Sequence, residues 1–102
     1  MVVSYTKNMM KKYKVVLISM APNGKNTSRF GCGFGDLSEE YIGQPMTVCV
    51  IGFSNAVFGG YNVAVYDQNM KSIIFDFGVI QEYEKTVIFT TRDTIYTFSV
   101  KL

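Results

Sequence analysis

Histidine and tryptophan are missing from this 102-residue sequence, and proline and cysteine occur only twice each. Without histidine there is no Ser-His-Asp or Cys-His activation of a nucleophile, no imidazole base and no histidine-ligated metal. The carboxylates offer no substitute. Glu39-Glu40 and Glu82/Glu84 read as solvated faces, and Asp67 with Asn69 falls short of the roughly six or more oxygens a calcium ion takes. The expectation is a non-enzymatic protein with no cofactor.

Cys32 and Cys49 lack the CxxC spacing of zinc ribbons and thioredoxin-like sites. One bridge and two buried thiols both fit them, so the cellular compartment stays open. Long apolar runs are missing too, and none approaches the ~20 residues that span a bilayer. The run over residues 15–21, behind Lys11, Lys12 and Lys14, reads as a strand rather than as the apolar part of a secretory leader.

Acid is absent from the first 35 residues. Lys7, Lys11, Lys12, Lys14, Lys25 and Arg29 stand there with no counter-charge, whereas the remainder holds all eight acids and only four cations. Such a split points either to a polyanionic partner or to neutralisation by the acidic remainder of the fold. The six cations are the candidate polyanion-binding set.

What the chain has in quantity is strand-forming residues, with 48% hydrophobic and 15% aromatic content, which excludes disorder over most of its length. From residue 46 onward MTVCVIGFS, YNVAVYD, KSIIFDFGVI, EKTVIFTTRD and TIYTFSVKL follow one another, separated by turn residues. In the last run Tyr96, Phe98, Val100 and Leu102 alternate with Thr97, Ser99 and Lys101, the period of a strand with one buried face. Before them, residues 13–20 form a strand apolar on both faces (Val15 and Leu17, Val16 and Ile18), which suggests cover on both sides. Ala21-Pro22-Asn23-Gly24 makes a turn. In residues 29–35 Phe30, Cys32 and Phe34 oppose Gly31, Gly33 and Gly35, either a glycine-lined groove or a bulged connection. The following Asp36, Glu39 and Glu40, with no βαβ context, exclude a phosphate loop.

The expected fold is all-β: a single antiparallel, jelly-roll-like β-sandwich of about seven or eight strands, with one short helical turn near 37–42. An Asp36 cap and Gly43 bound that turn. Residues 1–12 form a basic N-terminal arm and residues 13–102 the sandwich domain. In strand rhythm and turn placement TVCVIGFS, YNVAVYDQN and YEKTVIFTTRDTIYTFSV resemble jelly-roll sandwich modules such as the pre-peptidase C-terminal type.

Asp76 interrupts the run Ile73-Ile74-Phe75-Asp76-Phe77, and alternation puts it on the wet face opposite Ile73, Phe75 and Phe77. Val57 and Phe58 make the loop before Tyr61 unusually apolar, and they either cover the core or meet a partner. The functional expectation is a protein–protein interaction or assembly module, homodimeric in its simplest form, using a sheet edge and Val57, Phe58 and Tyr61. The alternative is polyanion or carbohydrate binding through the basic N-terminal part, with Tyr61, Tyr66, Tyr83 and Tyr96 as stacking platforms.

Overall fold

The computed structural model describes residues 11–24, 37–55 and 60–101. Six antiparallel strands appear in these residues: β1 (Lys11–Pro22), β2 (Pro45–Asn55), β3 (Gly60–Asp67), β4 (Ser72–Glu82), β5 (Thr86–Thr90) and β6 (Thr94–Val100). Each pairs with the next, and β6 pairs with β1, so the sheet closes on itself. The all-β reading holds, but the sandwich does not: the fold is a closed six-stranded barrel with nearest-neighbour connections, not a jelly roll.

The reason lies in the two long strands. β1 pairs with β2 over residues 11–16 and with β6 over residues 15–22. β4 in the same way pairs with β3 over residues 61–66 of that strand and with β5 from Val79 to Glu82. Each therefore serves both halves of the barrel, and the halves together have the rhythm of two sheets. The extended stretch expected at 29–35 lies outside the described residues.

Gly78 marks where β4 passes from β3 to β5. A Cβ built there would lie 2.3 Å from the Thr90 carbonyl oxygen and 2.7 Å from Phe89 Cε1. Only a residue without a side chain permits so close an approach.

Inward-facing residues make one core. Val15, Leu17, Val48, Val63, Val65, Val87, Phe89, Tyr96 and Phe98 are fully buried. The rings of Phe89, Tyr96 and Phe98 stack in sequence, with centroids 5.8 and 6.1 Å apart. Leu37 joins this core from the connection before β2, and its amide donates to the Tyr96 hydroxyl at 3.0 Å. A single 3-10 turn follows, at Glu39–Tyr41. Its cap is Ser38, whose hydroxyl accepts from the Glu40 amide, and Gly43 beyond it has φ +90°. The turn closes the gap that opens as β1 leaves β2, with Gly43 N–H donating to Leu17 C=O at 2.7 Å.

Bulges set which side chains face out. In β1 the register shifts between Leu17 and Ser19, which leaves Ile18 as the extra residue, 50% exposed. The outer face of β1 is therefore not covered as its apolar composition suggests. In β4, Val65 faces Ile74 while Tyr66 faces Ser72, so Ile73 is the extra residue. Beyond it Ile74 and Asp76 lie opposite the interior residues Val65 and Val63, and Phe75 lies opposite Ala64. Asp76 is thus on the core side of β4, half-buried, with its carboxylate accepting from the Phe77 amide at 2.8 Å. The expected wet-face placement is overturned, because alternation counted from Ile73 runs through a bulge that reverses the parity.

Candidate functional site

Three places on the barrel bring functional side chains together. The first joins the start of β1 to the end of β4. Lys11 Nζ lies 2.8 Å from Glu82 Oε1, and the Tyr13 hydroxyl donates to that same oxygen at 3.0 Å. The Lys11 ammonium also lies 5.4 Å from the centre of the Tyr13 ring, within cation–π range. The hydrogen bond from Lys11, and then that from Tyr13, hold the Glu82 carboxyl below the ordinary glutamate range. Lys11 is raised in turn, chiefly by its bond to Glu82, and Tyr13 is raised chiefly by burial. Every group here has a partner, so the cluster acts as a clasp between strands. It offers no poised acid or base.

The second is the outer face of β2, β3 and β4. Across it Lys12 lies opposite Cys49, Cys49 opposite Ala64, and Ala64 opposite Phe75. Ala64 is only 2% exposed and Cys49 9%, while Phe75 is 62% exposed. Ile51 and Val79 add exposed apolar surface on β2 and β4. The ring of Phe77 lies against Gly60, where a Cβ would come within 2.6 Å of it. Cys49 carries a free thiol, raised above its ordinary pKa by burial and opposed by the nearby charge of Lys12.

The third is a groove of about 280 Å³ at the point where β1 passes from β2 to β6. Lys14 and Lys101 flank it, Val15, Pro45 and Met46 contribute apolar wall, and residues of the β3–β4 turn close it.

Of the expected polyanion set, Lys11, Lys12 and Lys14 are described, while Lys7, Lys25 and Arg29 lie outside the described residues. Lys12 and Lys14 are exposed and share one face of β1, whereas Lys11 is held by Glu82. β1 is flanked by β2 over residues 11–16 and by β6 over residues 15–22. Val57 and Phe58, the expected partner-binding loop, also lie outside the described residues. Tyr61 packs against the core. Of the other tyrosines considered as platforms, Tyr96 is fully buried, Tyr66 half-buried and Tyr83 exposed. Among the described residues no cluster of His, Cys, Asp and Glu could hold a metal ion. Nor is any described helix long and apolar enough to cross a membrane.

Sequence reasoning missed Phe75, since the apolar face of β4 counted from Ile73 points inward on paper. It placed Lys101 on a wet face but had no means of setting Lys14 beside it. No protein-family model, curated protein or solved structure matches this chain.

Proposed function

We propose that the chain is a non-catalytic protein-contact module, with self-association as its simplest form, and that the face around Phe75 is the contact surface. The observation that carries this reading is the 62% exposure of Phe75 beside the uncharged row of Ala64 and Cys49. A phenyl ring left in water forgoes about 1.5–3 kcal/mol of burial free energy, which a partner surface would recover. Aromatic residues, Phe among them, are enriched in the buried cores of protein interfaces. The contact passes to a face rather than to a sheet edge, because the described strands form a ring without a terminal strand.

The test is the concentration dependence of solution mass by sedimentation velocity. Wild type should shift toward a dimer as concentration rises, and Phe75→Ser should stay monomeric with an almost unchanged melting temperature. A wild type that stays monomeric throughout the range counts against self-association. A Phe75→Ser variant that melts far earlier shows instead that the ring supports the fold.

Polyanion or glycan binding is the second reading, favoured by the exposed pair Lys12 and Lys14. It calls for heparin retention that falls with salt and is lost in Lys12→Ala/Lys14→Ala.

A further inference from the structure

The groove beside Lys14 has a feature that the fold does not explain. Lys101 N–H donates to Lys14 C=O at 2.8 Å, which continues the pairing of Val100 with Val15 by one residue. The two lysines are thus cross-strand neighbours at the end of β6. Residues directly opposite in an antiparallel pair have Cβ atoms roughly 4.5–5.5 Å apart on one face, and like charges placed so destabilise the pair. Among the described residues neither ammonium has an ion-pair partner.

The remaining lining defines what would relieve this repulsion. Among the described residues that line the groove Asp67 is the single acid, and its Oδ1 accepts the amides of Asn69 and Lys71 at 2.9 Å each, holding the β3–β4 turn. Among these described residues two cations and one acid leave an excess of one positive charge, which matches a singly charged anion. The wall beside the lysines is apolar, with Met46 buried and Met70 61% exposed. Met70 adopts φ +64°, the only described non-glycine residue with positive φ. A turn position of this kind favours Gly or Asn, so a long thioether there is bought at the expense of backbone strain. Its flexible side chain stands over the groove like the adaptable methionines of apolar binding surfaces. Thr47 and Gln68 add a hydroxyl and an amide to the lining. The volume, about 280 Å³, falls just below the ~300 Å³ at which pockets begin to take drug-sized ligands, so a fragment-sized occupant fits.

We propose that this groove binds a small organic monocarboxylate, with its head between Lys14 and Lys101 and its apolar tail along Met46 and Met70. Inorganic anions satisfy the lysines but leave the methionine wall wet, and neutral alkyl chains do the reverse. Head and tail are both needed. The proposal is independent of the Phe75 face, which lies on other residues.

The test titrates the wild-type chain with hexanoate, with sulfate and 1-hexanol as separate arms at matched ionic strength. Amide shifts and melting temperature are the two readouts. Hexanoate should give saturable shifts at Lys14, Thr47, Met70 and Lys101, and should raise the melting temperature. Sulfate and 1-hexanol should each be at least tenfold weaker. Lys14→Gln/Lys101→Gln should abolish the response while melting no earlier than wild type in the absence of hexanoate. Met70→Ser should weaken hexanoate several-fold, which a purely electrostatic site would not show. Absence of saturable shifts in wild type overturns the proposal. So does sulfate acting as strongly as hexanoate, or a Lys14→Gln/Lys101→Gln variant that still responds.

Discussion

The Leu37 amide donates its hydrogen bond to the phenolic oxygen of Tyr96, 3.0 Å away in the closed interior of the barrel. This bond ties the connection between β1 and β2 to the last strand. Tyr96→Phe keeps the ring stacked between Phe89 and Phe98 and removes only the acceptor. An unsatisfied buried amide costs about 1–3 kcal/mol. Urea denaturation should show a loss in that range with little change in slope. No loss would mean that the Leu37 amide finds another acceptor.

Gly78→Ala is expected to cost more than an ordinary strand glycine substitution. The new methyl would meet a backbone carbonyl, that of Thr90, at 2.3 Å, and this neighbour cannot rotate away. β4 and β5 would have to separate at the point where closure depends on their contact, and overpacking of this kind costs about 1–3 kcal/mol. Thermal melts of the variant beside wild type measure it. An alanine tolerated within ~0.5 kcal/mol would show that the strands yield freely there.

The clasp of Lys11, Tyr13 and Glu82 gives a signed dependence on pH. Glu82 is held below its ordinary value in the folded state, so its contribution is present above the unfolded glutamate pKa and is lost as pH falls through the lower folded value. Lys11 and Tyr13 are raised, so theirs is present at neutral pH and lost as pH rises through their folded values. Lys11 and Glu82 are largely solvent-exposed, so screening keeps the effect within the ~0–1 kcal/mol typical of surface pairs. Glu82→Gln should flatten the acid-side slope of stability against pH, and an identical slope in the variant would remove Glu82 from the account.

Neutralising one member of the Lys14–Lys101 pair should stabilise the unliganded protein. Lys101→Thr removes a like charge from a cross-strand pair and leaves a residue that suits a strand, for a gain of about 0.2–1 kcal/mol. The gain should shrink as salt is added, because both ammonium groups face solvent. A variant less stable than wild type at low salt would show that the Lys101 stem contributes more by packing than its charge costs.

Alternation makes the interior of β6 legible in the sequence, and Tyr96 and Phe98 are indeed wholly buried. Closure was not legible, since nothing in the composition of β1 says that it is shared between β2 and β6. The outer face was misread for a different physical reason. A bulge adds one residue without altering composition, so Ile73 and Ile74 both lean toward the core while Phe75, equally apolar, turns to solvent. The groove depends on register between distant strands. Lys14 and Lys101 meet only because Val15 pairs with Val100.

That pairing of β1 with β6 also constrains the order of folding. Consecutive hairpins can form locally, but β1 and β6 cannot meet until almost the whole described chain is available. Contacts between such distant segments are slow to form, because loop-closure entropy must be overcome before they contribute anything. On the ribosome, β1 therefore waits with one flank open through the synthesis of β2 to β5. In that interval its exposed backbone and Ile18 are available to other nascent chains, a hazard that ends only when Val100 arrives opposite Val15.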